Sequence, residues 1–239
     1  MERRLAAILV ADMVGYSRLM EADEASTLAR QKAHRAELVD PKIAAYHGRI
    51  VKTTGDGVLV EFASVVDAVD CAIAVQQAMA EREADIPEDR RMSYRIGINL
   101  GDIVLDGDDI FGTGVNIASR LQELAEPGGI WISQSVYEQV RHILRLNYED
   151  IGNRKVKNIS EPLHAYRLVI DLQEVIVSHV DHKQDAKTKK MNRRWIISAI
   201  IVVCLVVGGI VTWKVFDSGS ASECTDHFGL SLPCPNTKG

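Results

Sequence analysis

Residues 50–62 read Ile50-Val51-Lys52-Thr53-Thr54-Gly55-Asp56-Gly57-Val58-Leu59-Val60-Glu61-Phe62, two β-rich runs around Thr-Gly-Asp-Gly. Glycine tolerates positive φ and aspartate bonds its own backbone in turns, so this string predicts a tight β-hairpin. Upstream, His47-Gly48 ends a helical pattern in which Leu28, Ala29, Ala36, Val39 and Ile43 recur, with Pro41 expected to kink or divide the helix. Before it, Arg3-Arg4-Leu5-Ala6-Ala7-Ile8-Leu9-Val10 is too short for a signal peptide and reads as a buried strand. Downstream, Ser64 with Asp67 offers a helix N-cap, and the helix should run to about Glu81. A strand over 92–99, a return strand near 103–105 and a helix over 115–124 follow. Pro127-Gly128-Gly129 predicts a turn, 130–132 a short strand, Ser133 the cap of a helix ending before His142, and 163–169 a closing strand. Strands and helices alternate while two connections look like hairpins. The expected fold is therefore α+β, a ferredoxin-like mixed sheet with helices on one face, filling residues 1–170.

Composition narrows the function. Apolar residues make up 46% and charged residues 26% of 239, enough for a packed core. A net charge of −5 gives no broad basic surface for duplex nucleic acid, so no nucleic-acid partner is expected. Cys71, Cys204, Cys224 and Cys234 lack the paired spacing of a zinc site. Cys71 fits a buried helix position, where a reduced cysteine acts as a small hydrophobe.

Beyond residue 170 the character changes. Lys183, Lys187, Lys189, Lys190, Arg193 and Arg194 cluster in a basic linker, 171–194, before an uncharged stretch from Trp195 to Trp213. Those residues as a helix would reach about 28 Å, close to the roughly 30 Å hydrocarbon core, with a tryptophan at each interface. The expectation is one transmembrane helix over 195–213, with residues 1–194 cytoplasmic, a single pass of the inner membrane and a short extracytoplasmic tail over 214–239. In that tail Cys224 and Cys234 would form a disulfide or stay as two free thiols.

Several polar residues stand where chemistry could be done. Asp12 ends the first apolar strand, at a turn through Met13-Val14-Gly15-Tyr16-Ser17, where a carboxylate can hold a cation and free amides can meet phosphate oxygens. An Asp at a strand end is more often a helix cap. Asp56 at the hairpin tip has an Asx turn as its plain explanation, and Lys52 that of an exposed strand position. Asn116 and Arg120, at i and i+4, share a helix face that could as well be solvated.

Three longer strings decide among these readings. Ala11-Asp12-Met13-Val14-Gly15-Tyr16-Ser17, Lys52-Thr53-Thr54-Gly55-Asp56-Gly57 and Asp109-Ile110-Phe111-Gly112-Thr113-Gly114-Val115-Asn116-Ile117-Ala118-Ser119-Arg120 together resemble the class III adenylyl cyclase catalytic domain, over about residues 5–169. The resemblance implies a cyclase that converts ATP to cyclic AMP and pyrophosphate. It implies that Asp12 and Asp56, with the main chain of Met13, bind two divalent cations per active site, Mg²⁺ or Mn²⁺. Val14, Gly15 and Tyr16 would offer main-chain contacts to the substrate. Lys52 and Asp109 fall where the family reads adenine, while Asn116 and Arg120 match the residues that orient the ribose and stabilise the pentavalent phosphorus.

In the family each site lies between two catalytic domains, so a chain holding both half-sites implies a homodimer with two equivalent sites. Three alternatives compete with an adenylate cyclase. A guanylate or mixed-specificity enzyme would carry Glu and Cys, or a similar small residue, in place of Lys52 and Asp109. A silent nucleotide-binding signalling domain would not need all six functional residue types. A diguanylate cyclase would carry Gly-Gly-Asp/Glu-Glu-Phe in its hairpin, where this chain has Thr-Gly-Asp-Gly-Val.

Overall fold

The N-terminal apolar run forms strand β1, Glu2–Met13, and its two faces are both buried. Ala7, Leu9, Ala11 and Met13 belong to one core, and Ala6 and Ile8 to a second core across the sheet. A strand buried on both sides needs cover on both sides, so the expected single layer of helices is corrected here to two layers. The computed structural model describes residues 2–157, 159 and 161–170, with the backbone of 224–225 and 231–232.

The chain continues through α1, Tyr16–Ala22, α2, Glu24–His34, and α3, Asp40–Ala45, to the hairpin of β2, Arg49–Thr54, and β3, Gly57–Phe62. Pro41 does not break the helical segment. Residues Arg35–Val39 widen into a π-turn in which the Asp40 N–H donates to Arg35 O, and this extra residue absorbs the clash a proline makes with the preceding turn. Helix α4, Val65–Arg82, starts as expected, with the Ser64 side chain accepting from the Asp67 N–H. Strand β4, Tyr94–Asp106, reverses into β5, Asp109–Phe111, and α5, Thr113–Leu124, follows. Then come β6, Ile130–Ser133, α6, Gln134–Val140, β7, Asn147–Arg154, and β8, Leu163–Val169.

The sheet order is β2-β3-β1-β4-β6-β8-β7, with β5 paired to β4. Its first four strands, all antiparallel and joined by crossovers after β1 and β3, make the ferredoxin-like core; β6 then joins β4 in parallel. Two expectations are corrected. The strand over 92–99 and the return near 103–105 are one strand, and the reversal falls at Gly107-Asp108, where Gly107 has φ 59°. Gly101 stays in the strand because a Cβ there would stand 3.2 Å from Gly114 Cα; its role is to admit α5. Strand β7 was not foreseen, being a polar, half-exposed edge strand with no apolar alternation to reveal it.

Helix α2 is polar where it is buried. Thr27, Gln31 and His34 turn inward, while Ala29 and Ala36 of the expected apolar stripe are exposed. Glu83, 4% exposed, receives Arg30 and the His34 Nε2, the latter at 2.8 Å, and the Met92 N–H at 2.9 Å. Cys71 is a buried free thiol whose pKa burial pushes up to about 12.

The chain divides into two units, residues 1–181 and 182–239, and the second contains a two-residue pairing of β9, Cys224–Thr225, with β10, Ser231–Leu232. The basic linker, the 195–213 span and the Cys224–Cys234 pairing lie outside the described residues. Among the described residues no helix is long and apolar enough to cross a membrane.

Burial pushes the Glu83 carboxyl up, but its bonds from His34 and Met92 and the Arg30 charge outweigh that and hold it below its ordinary value of 4.5. Such a group adds stability above pH 4.5 that is lost as pH falls through its lower folded value. Glu83→Gln should cost about 1.5–3 kcal/mol at pH 7, and denaturant melts should show the gap from wild type closing below pH 4.5.

Candidate active site

Asp12 is the last but one residue of β1, opposite Gly57 on one side and Arg95 on the other. Alternation sends it to the α5 side of the sheet, away from Ala11 and Met13. There its carboxylate accepts from Arg95 Nη2 at 3.0 Å. Asp56 sits in the hairpin turn after Gly55, whose φ is 62°. Its carbonyl accepts from the Met13 N–H at 3.3 Å, which ties the turn to the end of β1. Burial and the Asp12 charge together raise the Asp56 pKa, so the two carboxylates feel one another. Gly57 keeps the corner open: a Cβ there would stand 2.7 Å from Thr54 Oγ1 and 3.4 Å from Asp12 Oδ1.

The turn after β1 is more committed than expected. The Val14 N–H donates to Ser93 O at 2.9 Å, which corrects its assignment as a free amide for substrate. The Met13 side chain is in the core, leaving its main chain alone to reach a ligand. Gly15, with φ 65°, begins α1, and the Tyr16 phenol donates to Gln31 Oε1 at 3.1 Å.

Lys52 and Asp109 come together across the β2 and β5 strands. Lys52 Nζ donates to Asp109 Oδ2 at 2.7 Å and lies 5.1 Å from the centre of the Phe111 ring. The Lys52 bond, with the Ile110 N–H, holds the Asp109 carboxyl below the usual range despite some burial. A bulge between Ile50 and Lys52 shifts the register of β2 just before the lysine. Arg49 bridges Glu61 Oε2 at 2.7 Å and Asp108 O at 2.9 Å, anchoring the turn that presents Asp109.

Asn116 and Arg120 do share a face of α5, and it is the outer one. Gly114, Ala118, Leu121 and Gln122 fill the buried face, while Arg120 Nη1 donates to Glu123 Oε1 at 2.5 Å on the opposite side. Among the described residues no hydrogen bond or ion pair joins three groups: Asp12, Asp56 and Arg95; Lys52 and Asp109; Asn116, Arg120 and Glu123.

Sequence reasoning missed Arg95, Gln31 and Glu61. Arg95 carried a signal, a lone cation in the apolar run Tyr94-Arg95-Ile96, of the kind that drew attention to Lys52. Gln31 carried none, since an amide on a helix surface is unremarkable until its partners are known. Among the described residues no three His, Cys, Asp or Glu side chains form a ready-made metal cage. Two neighbouring carboxylates suit a hard cation that takes its remaining oxygens from water and phosphates, as Mg²⁺ does, so the donor set fits the expected ion.

Comparison with known proteins identifies the family. Residues 3–170 match the family described as the adenylate and guanylate cyclase catalytic domain. The "Putative adenylate cyclase 3" of Rhizobium meliloti is 52% identical over 164 residues, 69% of this chain and 28% of that protein. An adenylate cyclase of Streptomyces coelicolor is 36% identical over 143 residues, 58% of this chain and 35% of that protein, so the chain spans about a third or less of either relative. Among solved structures, an adenylate/guanylate cyclase/hydrolase from Silicibacter pomeroyi is 51% identical with a TM-score of 0.66, over 72% of this chain and 99% of that one. The adenylyl cyclase CyaB of P. aeruginosa is 28% identical with a TM-score of 0.61, over 72% and 97%. With the match running from the start of β1 to the end of β8, and the three motif groups standing on the strands and helix described above, this chain belongs to the adenylate and guanylate cyclase catalytic domain family.

Proposed function

We propose that this chain is an adenylate cyclase, making 3′,5′-cyclic AMP and pyrophosphate from ATP at sites shared between two copies of itself. The observation that carries the reading is the Lys52–Asp109 pair at 2.7 Å. It sets a donor beside an acceptor, the complement of adenine's ring nitrogen and exocyclic amine. Guanine presents the opposite pattern there, which favours ATP over GTP.

Asp12 and Asp56, with the main chain of Met13, would hold the two divalent cations. When bound, Mg²⁺ or Mn²⁺ supplies the charge that makes the ribose 3′-hydroxyl acidic and neutralises the triphosphate. The 3′-oxygen forms its bond to the α-phosphorus as the bond to pyrophosphate breaks, and the hydroxyl proton leaves to solvent or a phosphate oxygen. No side chain of the site is assigned as general base. Arg120 opposes the charge that grows on the α-phosphate, and Asn116 orients the ribose. Arg95, paired with Asp12 in the free chain, gives the incoming polyanion a positive neighbour. Because Asn116 and Arg120 face away from their own sheet, a two-fold dimer in which each α5 serves the partner's aspartates completes two equivalent sites, each residue of each chain serving in one.

The uncharged stretch 195–213 behind its basic cluster is read as a single-pass inner-membrane anchor that leaves the catalytic domain in the cytoplasm. Full-length protein should then sediment with membranes, and deletion of residues 195–239 should release it; sedimentation unchanged by the deletion would refute the anchor.

The shared site is tested by mixing Asp12→Asn with Arg120→Ala and measuring cyclic AMP. Each alone should lose about 10²–10³-fold or more. Mixing should restore activity, because one site of the mixed dimer keeps every residue; no recovery beside an active wild type would sink the shared site, and an inactive wild type the cyclase reading.

The raised pKa of Asp56 has its own consequence. Its ionised form is disfavoured in the folded chain, so stability is lost as pH rises through the folded value above 3.8. Asp56→Asn should raise the Tm of metal-free protein at pH 7, with the gain gone below pH 3.8. Mg²⁺ with ATP should raise the Tm of wild type and have a much smaller effect on the variant.

A further inference from the structure

We propose that Gln31 is a positioning residue for cation binding, a buried clamp between the hairpin turn that carries Asp56 and the start of α1, just after the strand end that carries Asp12. The inference rests on the reading of Asp12 and Asp56 as cation ligands. Gln31 lies on α2, outside every motif that identifies the site, and is 6% exposed. Its Nε2 donates to Gly55 O at 2.6 Å, in the hairpin turn directly before Asp56. Its Oε1 accepts the Tyr16 phenol at 3.1 Å, from the first residue of α1, four positions after Asp12. One amide therefore links the hairpin turn to the start of α1, beside the longer main-chain bond from Met13 N–H to Asp56 O at 3.3 Å.

The residue type is determined by these partners. A carbonyl on one side and a hydroxyl donor on the other call for a donor and an acceptor on one short planar group, which a side-chain amide supplies. Glutamate could accept from Tyr16 but could not donate to Gly55. Methionine matches the length of the side chain and makes neither bond.

The helix that presents Gln31 is itself fixed. Asp23 caps α2 through the Ser26 N–H at 3.1 Å, and Thr27 Oγ1 donates to Leu19 O of α1 at 2.9 Å. Arg30, the residue before Gln31, and His34, about one turn beyond it, both meet the buried Glu83. A polar path thus runs from Glu83 through α2 to the hairpin tip. It gives Asp56 a defined place although its turn contains two glycines, and although the neighbouring Asp12 charge acts to push the two carboxylates apart. Outer partners of this kind typically change metal affinity by about 10–100-fold when removed.

The test compares Gln31→Met, Tyr16→Phe and Thr27→Val in the full chain. Thr27→Val removes a buried bond of the same helix without touching either metal loop, and serves as the stability control. Two readouts do not depend on turnover: hydrogen exchange of the amides over 50–60 without metal, and Mn²⁺ binding with an uncleavable ATP analogue, followed by electron paramagnetic resonance. Gln31→Met should speed exchange at the hairpin tip and weaken Mn²⁺ binding about tenfold, with the Mn²⁺ concentration for half-maximal activity rising in step. Turnover at saturating Mn²⁺ should stay within a few-fold of wild type. Tyr16→Phe, which leaves the Gly55 bond, should show a smaller change of the same sign. Thr27→Val should lower the Tm and leave Mn²⁺ binding and tip exchange as in wild type. Unchanged exchange and Mn²⁺ binding in Gln31→Met, or equal changes in Thr27→Val, would overturn the proposal. A wild-type chain that binds no Mn²⁺ and makes no cyclic AMP would instead overturn the parent reading, and the exchange measurement would still decide whether Gln31 holds the hairpin.

Discussion

Helix α5 lies against bare backbone. A Cβ on Gly97 would stand 2.2 Å from Ala118 O and Gln122 N, and one on Gly114 would stand 2.9 Å from Asp102 O, so helix and strand meet at a depth other residues would forbid. Once that approach is set, Gly114, Ala118, Leu121 and Gln122 must fill the inner face. The repeat of 3.6 residues per turn then leaves Asn116 and Arg120 pointing outward. Glycines that take no part in chemistry decide the direction of the residues that do. Under the cyclase reading they also decide that a lone chain is incomplete, since Asn116 and Arg120 face away from the sheet that carries the chain's own Asp12.

The charges of the molecule fall into two classes that differ in what they can do. Glu61 and Glu83 are 3% and 4% exposed and hold several strands and helices together. Removing one charged partner from such a cluster generally costs about 1.5–3 kcal/mol. The pairs at the motifs are partly open to solvent: Lys52 with Asp109, Arg95 with Asp12, Arg120 with Glu123. Exposed pairs are generally worth about 0–1 kcal/mol, so they hold the side chains ready without resisting exchange for a ligand. The division explains why Arg49 is better understood with the scaffold than with the site. It ties Glu61 to the turn before Asp109 and fixes where the exchangeable pair stands.

What could be seen in the sequence was local. The Thr54-Gly55-Asp56-Gly57 turn and the Ser64 and Ser133 caps depend on residues within a few positions of one another, and each is found where its pattern placed it. Asn116 and Arg120 share a helix face for the same reason. What escaped was set across the chain. The break expected between 99 and 103 is continuous strand, and the partner that calls for Gly101 there, the Gly114 backbone, lies in another element. Strand β7 is held by pairing with β8 from Asn147 to Arg154, and its own residues carry no strand signal. Val14 was expected to offer a free amide, and the residue that takes it, Ser93, is some eighty positions away.

The helix read least well is also the most informative. A stripe of Leu28, Ala29, Ala36, Val39 and Ile43 is a fair prediction of a buried face, yet only its C-terminal part is buried, and the first three turns bury Thr27, Gln31 and His34 instead. Burying polar groups is unfavourable unless they find partners, and most here do: Thr27 has Leu19 O, Gln31 has Gly55 O with the Tyr16 phenol, and His34 Nε2 has Glu83, while His34 Nδ1 is buried without one. An apolar stripe would have packed α2 as tightly with less dependence on geometry. Places where a local rule is broken and the cost is offset elsewhere tend to lie at functional sites. In α2 the compensating partners are the hairpin turn beside Asp56, the helix that follows Asp12 and the carboxylate that anchors α2. The departure from helical periodicity and the position of Asp56 therefore have one physical cause, a helix whose inner face is used to hold loops rather than to fill a core.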